Sequence, residues 1–155
     1  MKIAMIGQKG IPARLGGVER HVEELGTRLA ERGHDVLVYC RPWYVLKPRK
    51  KLGKVQLVTL PSIHTKHLDA ASHTILASLH ALWRGADIFH YHGVGPALFS
   101  WIPRVFAPRA KVVVTFHCID RYHAKWGRLA RMALALGERA ACRFAHTTIA
   151  VSDVI

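Results

Sequence analysis

The chain has 155 residues, half of them apolar, so it can bury one real core and is not a disordered segment. It carries 23 Lys and Arg against 10 Asp and Glu, a formal charge of +13, which favours anionic partners: phosphate, nucleic acid, acidic sugars or an anionic membrane surface. Three cysteines, Cys40, Cys118 and Cys142, supply neither a disulfide framework nor a CxxC metal pair and fit a reducing compartment.

Strand and helix signals alternate along the chain. Lys2 to Ile6 reads as a buried strand, and the glycine-rich stretch GQKGIPARLGGVER follows it. Val18, Val22, Leu25 and Leu29 then recur at helical spacing, with Glu19, Glu23, Glu24, Arg28 and Glu31 off that face and Gly33 placed to end the helix. DVLVYC (35–40) is a second strand, and Val55 to Leu60, stopped by Pro61, a third. Residues 72–84 form a helix, and Asp87 to Tyr91 a fourth strand. Residues 96–106 form a short helix that Pro103 should end or kink. Lys111 to Phe116 is a fifth strand, residues 126–145 a long helix and Thr147 to Val151 a sixth strand. Apolar strands separated by helices imply an α/β, Rossmann-like open parallel sheet of about six or more strands with helices on both faces. Ligands of such sheets bind at the carboxyl edge of the strands, here residues 7–17, 41–46, 92–96, 117–123 and 152–155. The first apolar run is too short for a signal peptide, and no stretch reaches the length of a spanning helix.

The chemistry starts at Gly16-Gly17. Most helices open on a side chain that caps a free N–H. A glycine pair offers none, so the amides stay open to an outside anion, and the missing side chains let it come close. A phosphate or diphosphate cradle is one reading; a turn that needs positive φ is the other. Gly7, Gly10, Gly16 and Gly17 are spread too widely for GxGxxG, and there is no GxxxxGK[ST]. Cys40-Arg41 stands where a dinucleotide domain needs an acid, which argues against NAD and leaves Arg41 as the basis of an NADP-binding oxidoreductase alternative. A basic nucleic-acid-binding module is a second alternative. It lacks a recognition motif, and its basic residues are scattered over several elements.

KIAMIGQKGIPARLGGVERHVEELGTRLAERGHDVLVYCR, DIFHYHG, VVVTFHCID and TTIAVSDVI, in that order, resemble the N-terminal half of the family-four retaining glycosyltransferases. Those enzymes have the GT-B fold of two facing Rossmann-like domains. GIPARLGGVE and KWGRLARMALALGERAACRFAHTTIAVS resemble a bacterial, rhamnosyltransferase-like subgroup that builds cell-surface polysaccharide. The resemblance covers residues 1–155 and implies that the C-terminal domain, which carries most of the donor-nucleotide site, lies outside this chain. This chain alone is then expected to be inactive and to need that domain or a partner chain.

By the same resemblance, Gly16 and Gly17 lie against the diphosphate of a nucleotide-sugar donor. His117 stands near the transferred sugar as the catalytic residue; the alternative is that it merely closes its strand's hydrogen bonding. Arg14, His92, Gly93, Asp120 and Arg121 line the sugar or acceptor cleft. The sequence His117-Cys118-Ile119-Asp120 departs from the Asp-Gly loop of the close subgroup, so it does not fix the sugar. His90 and His92 share one face of their strand, with Tyr91 opposite, but two histidines do not make a zinc site, so no metal and no cofactor are expected. His64, His67, His73 and His80 read as surface or packing residues. Expected partners are the nucleotide-sugar and a glycan or lipid-linked acceptor, and no nucleic acid. Trp43, Tyr44, Val45 and Leu46 before the basic run Lys47 to Lys54, and the cluster Arg121, Lys125, Trp126, Arg128 and Arg131, suit an anionic membrane surface, which implies a cytoplasmic protein peripheral to the membrane.

Overall fold

A computed structural model of the chain describes residues 1–47, 49–66, 68–118 and 127–152. The elements run β1 (Lys2–Ile6), α1 (Gly17–Glu31), β2 (Asp35–Cys40), β3 (Lys51–Leu52), β4 (Val55–Thr59), α2 (Asp69–Trp83), β5 (Ile88–His92), α3 (Val94–Ala97), α4 (Trp101–Phe106), β6 (Lys111–Phe116), α5 (Arg128–Phe144) and β7 (Thr147–Ala150). The seven strands form one sheet in the order β3-β4-β2-β1-β5-β6-β7. All neighbours are parallel except β3 and β4. The fold is the expected α/β, Rossmann-like sheet. The extra strand, β3, is two residues long and sits inside the basic loop, too short to leave a periodic signal.

The chain builds outward from β1 through β2 to β4, then returns to the other side of β1 and builds β5, β6 and β7. The strand order therefore reverses between β1 and β5, where Ile3 lies opposite Ile88 and Ile6 opposite Tyr91. Parallel sheets of this kind open a crevice beyond the carboxyl ends of the strands at such a point. Here the loop after β1 and the turn after β5 border it.

Alternation along the strands divides the core in two. Ala4, Ile6, Leu37, Tyr39, Phe89, Tyr91, Val112 and Val114 face α2 and α5 and meet Ala77, Ala81 and Ala141. Ile3, Met5, Val36, Val38, Cys40, Val55 and Leu57 face α1 and meet Val22 and Ala30. Helices thus cover both faces, although every residue of β7 is exposed.

Several boundaries differ from the sequence-based expectation. The stretch 96–106 is two helices rather than one. Pro103 does not end α4, because it lies in the first turn, where its missing N–H has no helical partner to lose. Helix α2 begins at Asp69, three residues before the expected start. Among the described residues no helix is long and apolar enough to cross a membrane.

Helix α5 comes close to α3 through Gly137, where an added Cβ would collide with the backbone carbonyl oxygen of Val94. Ala is favoured over Gly inside a helix by about 1 kcal/mol, but overpacking costs about 1–3 kcal/mol, and a backbone oxygen cannot swing aside. Gly137→Ala is therefore expected to destabilise the chain by roughly 1–2 kcal/mol in urea unfolding. A gain in stability would show that the α3–α5 contact is not tight.

Candidate functional site

The loop from Gly7 to Gly16 is held in shape by side chains. Gly7 has φ of 114°, and a Cβ there would lie 2.6 Å from Pro96 Cγ and 2.7 Å from the His92 carbonyl oxygen, so only glycine lets the loop cross the start of α3. Glu19 accepts the Lys9 N–H at 3.0 Å, and Glu23 accepts the Ala13 N–H at 2.7 Å. The Tyr44 hydroxyl accepts from the Arg14 and Leu15 amides at 2.7 and 3.1 Å and donates to the Leu15 carbonyl at 3.2 Å. Gln8 Nε2 donates to the Met5 and Tyr39 carbonyls.

This bracing fixes how α1 begins. Gly16 is the N-cap, with φ of 102° and no side-chain capping bond. A Cβ on it would strike the Glu19 carboxylate. The first helical bond runs from Arg20 N–H to the Gly16 carbonyl at 3.3 Å. Among the described residues no protein acceptor takes the amides of Gly17 or Val18. A Cβ at Gly17 would meet none of the described residues within 4 Å. Free N–H groups and the positive end of the dipole make this helix tip suited to an anion.

One turn further along α1, His21 meets two histidines from the sheet edge. His92 ends β5 and His117 follows β6. His92 Nδ1 and His117 Nε2 are 3.3 Å apart. The His21 ring packs edge-on against His117 at 4.9 Å and His92 at 5.8 Å between centroids. His90 stacks under His92 at 4.1 Å and bonds Thr115 Oγ1 through Nε2 at 2.7 Å. Burial, and then the neighbouring histidines, push His92 well below the ordinary histidine pKa and His90 down to about 4; burial also lowers His21. At neutral pH these three are uncharged rings, each with one donor and one acceptor nitrogen. Among the described residues, His92 Nε2 is buried without a hydrogen-bond partner.

Of the residues expected from the sequence, Gly16, Gly17, Arg14, His92, Gly93 and His117 all lie along the carboxyl edge of the sheet. Arg14 is exposed, and its guanidinium reaches the Tyr44 carbonyl at 3.5 Å. Gly93 donates its N–H to the Thr115 carbonyl at 2.9 Å, tying the turn after β5 to β6. Asp120 and Arg121 lie outside the described residues, as do His67, Lys125 and Trp126. His90 and His92 share a face as expected, with Tyr91 packed into the opposite core. His73 and His80 are packing residues: His73 is fully buried, and His80 bonds the Tyr39 hydroxyl at 2.9 Å.

Some expectations are corrected. Arg41 is not available for a cofactor phosphate. It is buried, paired with Asp69 at 2.8 Å and bonded to the Gly7 carbonyl at 3.0 Å, which removes the basis of the NADP alternative. Tyr44 is buried under the loop rather than free to meet a membrane, whereas Trp43 stays exposed while its ring N–H donates to Asp69 at 3.1 Å. Glu19 is buried, although its spacing places it off the apolar face of α1. No sequence motif marks His21. Its one signal was its position a turn after the glycine pair.

Residues 15–155 match the model of Glycosyltransferase Family 4. The chain belongs to glycosyltransferase family 4. The match takes in the glycine pair, α1 and every strand after β1. A solved sucrose-phosphate synthase from Thermosynechococcus elongatus superposes with a TM-score of 0.71 over 95% of this chain at 17% identity, a likeness of fold. This family-4 domain spans 41% of the length of that chain. No curated protein matches it in sequence.

Proposed function

We propose that this chain is the N-terminal, acceptor-side domain of a retaining glycosyltransferase that moves a sugar from a nucleotide-sugar donor to a glycan or lipid-linked acceptor. The observation that carries the reading is the uncapped start of α1, where among the described residues the Gly17 and Val18 amides have no protein acceptor, at the point where the strand order reverses. In a retaining transfer with an ion-pair-like transition state, negative charge grows on the departing diphosphate. Fixed amides aimed at that charge stabilise the transition state more than the ground state.

His117 is the group nearest the transferred sugar in this reading. Its ring can bond a sugar hydroxyl, and its main-chain carbonyl faces the anomeric carbon. Arg14, His92 and Gly93, with Asp120 and Arg121, line the acceptor side. The GIPARLGGVE motif supports a role in cell-surface polysaccharide synthesis, with hexosyl or deoxyhexosyl transfer. Exposed Leu46 beside Lys47, Arg49, Lys50 and Lys51, and exposed Leu129 and Met132 beside Arg128 and Arg131, support contact with the anionic inner face of a membrane.

Most of the nucleotide is bound by a second domain in this reading, so the isolated chain holds only half of the donor site. A calorimetric titration with a nucleotide-sugar should give binding weaker than ~1 μM, about −8 kcal/mol. Affinity tighter than that would mean that the donor site is complete in these residues. His117→Ala should weaken the nucleotide-sugar and leave inorganic pyrophosphate unaffected, because the two probes differ in the sugar that His117 contacts. Equal effects on both would remove His117 from the sugar.

A further inference from the structure

We infer that His21, His92 and His117 form a binding site for a divalent transition-metal ion with the ligand preference of zinc. This reverses the expectation of no metal, which rested on the two histidines of one strand. His90 does not take part; its place is taken by His21 from α1 and His117 from the end of β6. The three rings each offer one nitrogen, and these nitrogens lie within 4.8 Å of one another. One pair, His92 Nδ1 and His117 Nε2, stands at 3.3 Å. That is about the edge of a tetrahedron whose ligand nitrogens sit ~2.0–2.1 Å from zinc. Binding would require the remaining nitrogen–nitrogen distances, within 4.8 Å, to close, and His21 is only partly buried.

The chemistry of the trio selects the class of ion. Imidazole nitrogens suit zinc, copper and nickel. Magnesium and calcium require oxygen ligands, and this cluster contains none. Three protein ligands leave a fourth position for water or an anionic oxygen. The ligands come from α1, β5 and the end of β6, which the sheet and the braced loop hold in place. An ion held there occupies the His117 nitrogen. On the proposed function, it therefore takes away the sugar's hydrogen-bond partner and inhibits transfer. The binding itself does not depend on that reading.

The test is a titration of the metal-free chain with Zn2+ by calorimetry and with Co2+ by visible absorption. We expect one ion per chain at micromolar affinity and the intense visible bands of four-coordinate cobalt. His21→Ala and His117→Ala should each weaken the ion ~10-fold or more, within the range that even outer-shell changes produce at metal sites. His64→Ala, an exposed histidine away from the cluster, should leave it unchanged. Both cluster positions are only partly buried, and thermal melts of the metal-free variants confirm that they fold. Zinc binding that survives both cluster variants, or no binding below ~1 mM, about −4 kcal/mol, overturns the site. Pyrophosphate binding measured separately in chelator reports on the proposed function alone, so either idea can fail without the other.

Discussion

Replacing Gly17 by Asp should weaken inorganic pyrophosphate binding to this chain by at least ~10²-fold while leaving its unfolding midpoint unchanged or higher. The two effects part because of where Gly17 sits. It is the first residue of α1, and a side chain there meets none of the described residues within 4 Å. An acid in the first turn of a helix is favourable by about 0.3–1 kcal/mol, and Asp is better than glycine in a helix by only about 0.3 kcal/mol. The same carboxylate would stand where the diphosphate is proposed to lie. Like charges ~4 Å apart repel by about 4 kcal/mol at the effective dielectric of a protein surface, and 1.4 kcal/mol is tenfold in affinity. The expected readings are calorimetry for the anion and thermal melting for the fold. Unchanged pyrophosphate affinity would mean that the anion does not meet this helix tip. The neighbouring position cannot serve for this test, because a side chain at Gly16 is strained at φ of 102° and collides with Glu19.

Asp69→Ala should destabilise the chain by about 3–5 kcal/mol, the largest loss expected from any single substitution discussed. The Asp69 carboxylate collects Arg41 Nη1 at 2.8 Å, Trp43 Nε1 at 3.1 Å and Ser62 Oγ at 2.5 Å. The Arg41 and Asp69 side chains are 7% and 12% exposed. Removing the acid leaves a buried guanidinium without its counter-charge. Arg41 also bonds the Gly7 carbonyl, so the loop after β1 should loosen and, on the proposed function, pyrophosphate binding should weaken with stability. Replacing both partners by apolar residues, Arg41→Met with Asp69→Leu, should recover most of the lost stability, because no charge is then stranded.

The pair also has a pH signature. Burial alone would raise the Asp69 pKa, but hydrogen bonds from Ser62 and Trp43 and the charge of Arg41 outweigh it and hold the carboxyl below its ordinary value. Its stabilisation is therefore complete above the unfolded value of about 3.9 and is lost as the pH falls through the lower folded value. The stability gap between wild type and Asp69→Ala should be constant near neutrality and shrink only in acid below about pH 4. A gap already closing at pH 6 would mean that the pair is not the source.

The sheet was legible because parallel, doubly covered strands leave apolar runs such as DVLVYC and KVVVTF that no surface segment would carry. The glycine pair was legible because a helix opening without a capping side chain is a local feature. What the sequence hid was long-range. His21 and His117 are brought together by the sheet, and nothing in their spacing shows it. Arg41 looked free because its partner lies on α2, whose first turn the periodicity did not reveal. Tyr44 looked like a membrane-facing aromatic because it precedes a basic run. Its role appears only when the loop from Gly7 to Gly16 folds over its hydroxyl. Glu19 matched a solvent-facing position by helical spacing, yet the returning loop buries it and uses it as an acceptor.

The central claim is that the main-chain amides at the start of α1 receive a diphosphate. An amide-resolved NMR titration of this chain with inorganic pyrophosphate tests it most directly. The account predicts saturable shifts of the Gly17 and Val18 amides, with smaller changes at His21. Still amides at Gly17 and Val18, with shifts confined to Lys50, Lys51 or the arginines of α5, would contradict it.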